Sequence, residues 1–325
     1  MRPDVAAWFA RRGSHVTEWP VERLVEDKGS TTVSVVLPAL DEERTVGTIV
    51  RRIRRDLVER ARVVDELVVV DSGSTDATRL VAADAGATVV RRGQVLDDVP
   101  PLPGKGEALW RSLAATTGDV VAFVDSDLRD FTSAFVRGLV GPLLADPGIH
   151  LVKATYDRAL RSGETVLPAG GGRVTELVAR PLLNLFWPQL SGFVQPLSGE
   201  YAARRALLER LPFPTGYGVE VGLLVDALRE VGLDGLAQVD LTRRKHRNSS
   251  DAALGRMAME ITRVVLARLE AEDRATLPGD LADELVQFTR AGDGYHVTVS
   301  ELAPHERPPV ATLESYNGGG GRLVP

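Results

Sequence analysis

The stretch Val120-Val121-Ala122-Phe123-Val124-Asp125-Ser126-Asp127 decides the fold, because an apolar, β-branched run ends there in two carboxylates. The run predicts a strand buried in a parallel sheet. Side chains two residues apart on an extended backbone point the same way, so Asp125 and Asp127 should emerge together. They do so at the carboxyl edge, where open α/β sheets bind ligands. Asp-x-Asp alone is common in acidic loops, but after a buried strand it favours a metal-dependent sugar-nucleotide enzyme.

The whole chain has the composition of an ordinary globular protein, with 325 residues, 44% of them hydrophobic and 26% charged. Its net charge of −6 argues against a nucleic-acid-binding protein, which normally carries a basic patch. The sequence contains no apolar run of about 18 residues that could span a bilayer, and no apolar signal-peptide core. Cysteine is absent, which excludes disulfides and thiolate catalysis. These features predict a soluble, cytoplasmic protein that binds neither nucleic acid nor membrane.

Strands and helices alternate from Thr32 onward, which predicts an α/β fold of parallel βαβ units. The predicted strands are Val33–Leu37, Glu66–Val70, Thr88–Arg91, Val120–Val124, Ile149–Tyr156 and Leu236–Leu241. The predicted helices are 46–57, Glu107–Ala115, Val174–Phe186, Val219–Val231 and Ala252–Ala271. This organisation predicts a weakly patterned segment at 1–31, one domain at 32–250, a helical extension at 251–316 and a glycine-rich, disordered tail at 317–325.

The commonest phosphate-binding motifs of parallel sheets are missing. The turn after the first strand is Pro38-Ala39-Leu40-Asp41-Glu42, and it lacks the glycines of a dinucleotide-binding fingerprint. Gly104-Lys105 is followed by Gly106, where a P-loop requires serine or threonine. No glycine-rich loop near the N-terminus matches those of sugar-nucleotide pyrophosphorylases. The sequence therefore disfavours these common nucleotide-binding classes.

Two polar turns follow the first two predicted strands and should share the sheet edge with the paired aspartates. Pro38–Glu42 either contacts a ligand or starts a helix, where its acidic residues would complement the dipole. Asp71-Ser72 either accepts hydrogen bonds from a nucleobase or ribose or forms a plain Asx turn. Both interpretations stay open for each turn.

Two basic segments could reach the same edge. Lys105 lies between two glycines at a helix start, where its charge and free backbone N–H groups would suit a diphosphate. A solvated loop lysine is the alternative. His246 follows the last predicted strand, and its imidazole could complete the coordination of a cation held by Asp127. One histidine in a basic loop is more often simply exposed.

Two later segments resemble sites for an anionic acceptor. Gly170–Glu176 is a glycine-rich loop that opens a helix, and it offers N–H groups, a positive helix dipole and the fork of Arg173. An elaborate helix cap is the alternative. Tyr217-Gly218-Val219-Glu220 puts an acid in the first turn of the next helix. Glu220 would orient an acceptor hydroxyl, stabilise positive charge on the sugar, or simply favour the helix dipole.

Taken in order, these motifs resemble the glucosyl-3-phosphoglycerate synthases of actinobacteria, which are retaining GT-A glycosyltransferases. The motifs are Pro38-Ala39-Leu40-x-Glu42, Asp71–Asp76, Pro103–Trp110, Asp125-Ser126-Asp127, Gly170–Glu176, Pro196–Tyr201, Tyr217–Glu220 and His246-Arg247-Asn248. The early motifs occur in many GT-A glycosyltransferases, whereas the glycine-rich loop and Tyr217–Glu220 are more specific. The resemblance covers roughly residues 32–270.

The resemblance implies a Rossmann-like GT-A fold with a mixed, mainly parallel sheet flanked by helices, a donor half over about 32–130 and an acceptor half over about 150–250. It implies retaining transfer of glucose from UDP-glucose or GDP-glucose to the 2-hydroxyl of D-3-phosphoglycerate. Mg²⁺, or Mn²⁺ or Co²⁺ in its place, is the implied metal. The product would feed synthesis of glucosylglycerate or methylglucose polysaccharide.

The family's functional residues carry over by position. Asp127 and His246 are implied as metal ligands, and Glu220, Asp127 and Lys105 as catalytic residues. The implied donor-binding residues are Pro38, Ala39, Leu40, Glu42, Asp71, Ser72, Lys105, Asp125, Ser126 and Asp127. The implied acceptor-binding residues are Gly172, Arg173, Val174, Thr175, Tyr217, Arg244 and Asn248.

Several alternatives stay open at this point. The same fold could transfer mannose from GDP-mannose, serve a polyprenyl phosphate at a membrane, or bind sugar nucleotides without catalysis. Retention could proceed through a covalent adduct on Glu220 or, as we prefer, through same-face attack with Glu220 as an orienting group. The family is typically dimeric, which implies a homodimer, and the helix Ala252–Ala271 could serve its interface or the core.

Overall fold

The computed structural model describes residues 1–158, 160–162, 165–167, 172–244, 250–279, 281–302 and 305–317. The strands are β1 Gly13–His15, β2 Val33–Ala39, β3 Glu66–Asp71, β4 Thr88–Arg91, β5 Val120–Phe123, β6 Leu151–Arg158, β7 Leu160–Ser162, β8 Thr165–Leu167, β9 Tyr201–Arg204, β10 Phe213–Pro214, β11 Leu236–Arg244, β12 Glu284–Ala291, β13 Gly294–Glu301 and β14 Glu306–Arg307. The helices are α1 Pro3–Arg12, α2 Val21–Lys28, α3 Val46–Ile53, α4 Thr78–Asp84, α5 Lys105–Ser112, α6 Ala134–Ala145, α7 Arg180–Phe186, α8 Arg205–Leu208, α9 Val219–Val231, α10 Asp251–Ala271 and α11 Glu314–Asn317.

Within the described residues, eight strands form the main sheet in the order β1-β11-β6-β9-β5-β2-β3-β4. Neighbouring strands run parallel except at β9, which is antiparallel to both β5 and β6. The carboxyl ends of β2, β3, β5, β6 and β11 therefore meet at one edge. This confirms the predicted mixed, mainly parallel sheet. The antiparallel strand β9 was not predicted from the sequence.

Helices cover both faces of the sheet, which explains why its central strands are continuously apolar rather than alternating. In β2, Val33, Val35, Val36 and Leu37 are all 0% exposed, and they divide between the two hydrophobic cores. Helix α3 buries Val46, Ile49, Val50 and Ile53 at helical spacing against one face. It continues as a π-helical turn over Arg54–Arg60, which carries the buried Leu57. The predicted helix over 46–57 is confirmed.

The N-terminal segment is an integral part of the fold. Strand β1 pairs in parallel with β11 and forms one end of the main sheet. Trp8 on α1 is completely buried, and its indole N–H donates to the carbonyl oxygen of Leu236 over 2.9 Å. Trp19 is also buried and packs directly against Gly141 on α6. The first residues of the chain therefore extend the sheet and cover its side.

The prediction of a helical extension over 251–316 is wrong beyond its first helix. Helix α10 is followed by the antiparallel hairpin β12–β13, whose two-residue turn is Gly292-Asp293. Strands of this kind form because β-branched and aromatic side chains alternate on both sides of a glycine-containing turn. The chain then returns to the main domain, where β14 pairs with β10. Of the tail predicted to be disordered, Asn317 ends α11 and residues 318–325 lie outside the described residues.

The returning segment is held by buried polar contacts. Arg307 on β14 forms an ion pair with the fully buried Glu107 of α5 over 2.6 Å, and its guanidinium stacks over Trp110 at 5.2 Å. The indole N–H of Trp110 donates to the carbonyl oxygen of Pro308 over 2.9 Å. The end of the described chain therefore packs onto the helix that begins at Lys105. Within the described residues, no helix combines the length and apolarity that crossing a bilayer requires.

Candidate active site

A cleft of about 910 Å³ opens at the carboxyl edge of the main sheet. It brings together the segments after β2, β3 and β5 with the starts of α5, α9 and the π-helical turn that precedes α7. Most of the predicted site residues line it, and they are Pro38, Ala39, Leu40, Glu42, Ser72, Lys105, Asp125, Ser126, Asp127, Gly172, Arg173, Val174, Thr175, Tyr217 and Glu220. Residues predicted from separate stretches of the sequence therefore share one cavity.

An ion-pair cluster lies within this cleft. The ammonium group of Lys105 donates to Asp125 over 2.7 Å and to Glu220 over 2.8 Å. Burial favours the neutral amine, but the two carboxylates outweigh that effect and hold the pKa of Lys105 well above its ordinary value. The two carboxylates therefore stabilise the charged form of Lys105, which connects Asp125 on the predicted donor side with Glu220 on the predicted acceptor side.

The backbone around Lys105 requires glycine at positions 104 and 106, and a third glycine, Gly199, lies close to the lysine side chain. Gly104 has φ +109°, a left-handed conformation that favours glycine. The amide of Gly106 donates to the carbonyl oxygen of Thr215 over 2.8 Å, and a Cβ there would lie 1.9 Å from the carbonyl oxygen of Pro214. A Cβ on Gly199 would lie 2.6 Å from the Lys105 ammonium. Close packing at these glycines therefore places Lys105 against strand β10 and against the segment before β9.

The predicted donor side of the cleft is built from the ends of β2, β3 and β5. Ser126 donates its hydroxyl to the carbonyl oxygen of Pro38 over 2.6 Å, which joins the end of β5 to the end of β2. Asp71, by contrast, is buried, and its carboxylate accepts the amides of Gly73 and Ser74 over 3.2 and 3.1 Å. This is the Asx-turn arrangement. A direct contact between Asp71 and the donor stays a prediction, whereas Ser72 faces the cleft.

The predicted acceptor side of the cleft is formed by residues 172–175 and by the turn before α9. Val174 and Thr175 are buried, whereas Tyr217 is 51% exposed. Arg173 forms an ion pair with Asp251 at the start of α10. The side chain of Arg244 and all of Gly170, Gly171, His246 and Asn248 lie outside the described residues. Their predicted acceptor and metal contacts stay predictions.

The candidate metal ligands in the described part of the site are carboxylates at the sheet edge. No group of three or more histidine, cysteine, aspartate or glutamate residues able to hold a metal occurs among the residues that the structure describes. Asp127 nevertheless lines the cleft beside Asp125, and carboxylate oxygens are the ligands that Mg²⁺ and Mn²⁺ accept, together with phosphate oxygens. The site thus fits a metal shared with a diphosphate rather than a cage built wholly by protein.

Several cleft residues were not predicted from the sequence. Glu260 on α10 accepts the backbone amide of Tyr217 over 2.6 Å, and burial raises the pKa of Glu260. Arg92 lines the donor side, and His305 lines the wall formed by the returning C-terminal segment. These residues come from separate parts of the chain and carry no local motif. Helical spacing could have indicated that Glu260 lies on the inward face of α10. It could not have indicated that Glu260 contacts Tyr217.

The chain is similar in sequence to known glycosyltransferases. The model of glycosyl transferase family 2 matches residues 34–167, the part that forms the donor side and the strands beneath it. A glucosyl-3-phosphoglycerate synthase from Mycolicibacterium smegmatis is 49% identical over 306 residues, which cover 94% of this chain and 98% of that protein. The match therefore extends through the acceptor side and the C-terminal segment.

Solved structures agree in fold over nearly the same length. A mannosyl-3-phosphoglycerate synthase from Rubrobacter xylanophilus has a TM-score of 0.87 at 40% identity and covers 94% of this chain and 97% of its own. A glucosyl-3-phosphoglycerate synthase from Mycobacterium tuberculosis, in complex with Mn²⁺, uridine diphosphate and phosphoglyceric acid, has a TM-score of 0.79 at 46% identity and covers 90% and 94%. On sequence and structure together, the chain belongs to the glucosyl-3-phosphoglycerate synthase family of glycosyltransferases.

Proposed function

We propose that this protein transfers glucose from UDP-glucose to the 2-hydroxyl of D-3-phosphoglycerate with retention of configuration, in the presence of Mg²⁺ or Mn²⁺. The observation that carries the proposal is the Lys105–Asp125–Glu220 cluster, because it joins a donor-side and an acceptor-side carboxylate through one cation. Among the relatives, structures from Mycobacterium tuberculosis contain UDP-glucose and phosphoglyceric acid with Mn²⁺. A cytoplasmic location belongs to the same proposal.

The leaving group determines what the donor side must do. Negative charge grows on the diphosphate as its bond to glucose breaks, so fixed positive charge there stabilises the transition state. A divalent ion held by Asp127, with His246 as the second proposed ligand, would neutralise diphosphate charge when bound. Lys105 adds a charge whose position is set by Asp125 and Glu220. Departure of the nucleotide is therefore assisted from two sides.

The role of Glu220 follows from its partner. Its carboxylate accepts a charge-assisted hydrogen bond from Lys105 over 2.8 Å, which stabilises the anion and lowers its nucleophilicity. We therefore favour same-face attack, with Glu220 orienting the acceptor and stabilising positive charge on the sugar. A trapped glucosyl adduct on Glu220 would overturn this mechanism and establish a covalent one.

The proposal that glucose is the transferred sugar rests on similarity to the relatives and not on contacts within the cleft. Mannose and glucose differ at one carbon, and the residues proposed here contact diphosphate, metal and acceptor. The Mycolicibacterium smegmatis relative, at 49% identity, is a glucosyl enzyme, whereas the mannosyl enzyme from Rubrobacter xylanophilus is 40% identical. The uridine donor is proposed on the same basis.

Product formation from D-3-phosphoglycerate with UDP-glucose, GDP-glucose and GDP-mannose tests the function. Each donor is assayed with Mg²⁺, with Mn²⁺ and with EDTA. We expect EDTA-sensitive glucosyl transfer with UDP-glucose as the preferred donor. Dominant mannosyl transfer would replace the proposed donor and product, and no transfer from any donor would overturn the proposed acceptor.

Replacing Arg173 with alanine should raise the KM for 3-phosphoglycerate by about tenfold to a hundredfold, because a guanidinium pairs strongly with anionic groups. The KM for UDP-glucose should change little. Initial rates with each substrate varied in turn measure both constants. Arg180→Ala is the control, because Arg180 lies on the same helical stretch and pairs with Glu176. Equal weakening of donor and acceptor in Arg173→Ala would remove Arg173 from the acceptor site.

We also propose a homodimer, supported by the outward face of the hairpin. On that face Val286 pairs with Val299 and Phe288 with Val297, and all four are 49% to 67% exposed. A second copy of the chain would cover this apolar surface. Light scattering should give twice the chain mass for the wild type and a monomer for Phe288→Lys, whereas Leu80→Lys, at an exposed leucine outside the hairpin, should remain dimeric. A monomeric wild type would contradict the proposal.

A further inference from the structure

Two loops form the donor side of the cleft, and regular pairing between them stops where the strands end. Strands β2 and β3 are in register up to Ala39 and Asp71. The amide of Ser72 donates to the carbonyl oxygen of Ala39 over 2.9 Å, and beyond this bond the chain segments 40–43 and 72–78 leave the sheet. Leu40, Glu42 and Ser72 on these segments line the cleft. Their relative position therefore depends on contacts other than the strand ladder.

Asp41 makes several of those contacts from an unusual backbone conformation. Its φ is +56°, in the left-handed region that L-residues rarely adopt and that aspartate and asparagine tolerate best. The carboxylate accepts the amide of Thr75 over 2.8 Å, the hydroxyl of Thr75 over 3.3 Å and the amide of Asp76 over 3.4 Å. In return, the amide of Asp41 donates to the hydroxyl of Ser74 over 3.0 Å.

The neighbouring residues extend this exchange but do not replace it. The amide of Glu42 donates to the hydroxyl of Thr78 over 2.7 Å, and the amide of Ala77 donates to Glu43 over 3.0 Å. Those two bonds reach the start of α4, and the amide of Glu43 adds a bond to the Asp76 carboxylate over 3.2 Å. The Asp41 carboxylate is bound to the turn itself, and it lies between Leu40 and Glu42 in sequence.

We propose that Asp41 is a positioning residue that locks the two nucleotide-binding loops to each other before the donor arrives. This inference rests on the proposed function, in which Leu40, Glu42 and Ser72 bind the nucleotide. A preformed site binds more tightly because the ligand does not have to order it. Asp41 therefore contributes to donor affinity without touching the donor, and it leaves acceptor binding unaffected.

Three substitutions separate the carboxylate from the backbone conformation. Asp41→Ala removes the acceptor and disfavours the left-handed backbone, Asp41→Gly removes only the acceptor, and Asp41→Asn keeps both an oxygen acceptor and that backbone preference. Asp119→Ala is the matched control. Its carboxylate also accepts the amide and the hydroxyl of one threonine, Thr32, both over 2.8 Å, at the opposite end of the sheet.

Three measurements test the effect of these substitutions. In steady-state assays, Asp41→Ala and Asp41→Gly should raise the KM for UDP-glucose about tenfold, with kcat and the KM for 3-phosphoglycerate within about twofold of wild type. Asp41→Asn and Asp119→Ala should behave like wild type. Without substrates, hydrogen exchange at the amides of Thr75 and Asp76 should speed up in Asp41→Ala and Asp41→Gly alone. Calorimetric titration with UDP and Mg²⁺ should show the same affinity order.

The outcomes distinguish this inference from the function on which it rests. An unchanged donor KM in Asp41→Gly would overturn the locking role even if the enzyme is fully active. An equal rise of both KM values in Asp41→Ala would do the same, since it would indicate general disturbance. A wild type that binds no UDP would overturn the proposed donor site, and the inference with it.

Discussion

Replacing Asp127 with alanine is expected to abolish glucosyl transfer at any practical Mg²⁺ concentration, with a loss of about a thousandfold or more in kcat. Asp127 lines the cleft directly after the buried strand β5, and it is the proposed protein ligand of the metal in the described part of the site. Without its carboxylate, the diphosphate of the donor would have to hold the ion with less help from protein. The charge that develops on the leaving diphosphate would then be poorly neutralised.

Initial rates over a wide range of Mg²⁺ and Mn²⁺ concentrations measure this effect, and calorimetry with UDP shows whether metal-dependent nucleotide binding is lost in parallel. Asp127→Asn removes the charge while keeping the size, so it should be nearly as inactive. Asp130→Ala is the matched control, because Asp130 follows three residues later and is exposed outside the set of cleft-lining residues. Near-normal activity of Asp127→Ala would rule out Asp127 as a metal ligand.

Local sequence pattern was sufficient for the central sheet and for much of the site. A buried parallel strand must be continuously apolar, so β2, β3 and β5 could be identified from short runs such as Val120–Phe123. Polar residues that follow such runs must gather at one edge, because parallel strands share their direction. That reasoning brought Leu40, Ser72 and Asp127 into one predicted site, and the structure lines one cleft with them.

Strand β9 and the hairpin β12–β13 were not predicted, for two different reasons. Strand β9 is only four residues long, Tyr201–Arg204, and its antiparallel direction is decided by β5 and β6 on either side. The hairpin β12–β13, in contrast, carries a visible signal in alternating apolar residues around Gly292-Asp293. The prediction of a helical extension over 251–316 was wrong here because the helical pattern ends with α10 at Ala271.

Contacts between distant residues could not be predicted from local pattern at all. Lys105 and Glu220 lie 115 residues apart in sequence, and each was predicted separately from its own motif. Their pairing requires α5 and α9 to start close to each other, which depends on how Gly106 packs against β10. The same limit applies to Asp41, whose acidic side chain resembles an ordinary helix-start residue until its partners in the next loop are known.

Replacing Lys105 with methionine should lower kcat by about a hundredfold to a thousandfold, because the departing diphosphate would lose a fixed positive charge in a partly buried site. Lys105→Arg keeps the charge in a different shape and should recover part of the activity. Lys28→Met is the matched control, since it also removes a lysine–aspartate ion pair, with Asp65 over 3.0 Å, far from the cleft lining. Steady-state kinetics at a temperature where all variants remain folded measures the effect.

The ion-pair cluster makes a sharper prediction about Lys105 and Glu220 together. Removing Lys105 leaves Asp125 and Glu220 without the cation that now lies between them, so part of the loss comes from misplaced carboxylates. Glu220→Gln in the Lys105→Met background should therefore cost much less than Glu220→Gln in the wild type, since residues that act as a unit are strongly non-additive. A double-mutant cycle on kcat measures this coupling. Fully additive losses would mean that the two groups act independently, and that the lysine serves the diphosphate without orienting the acid.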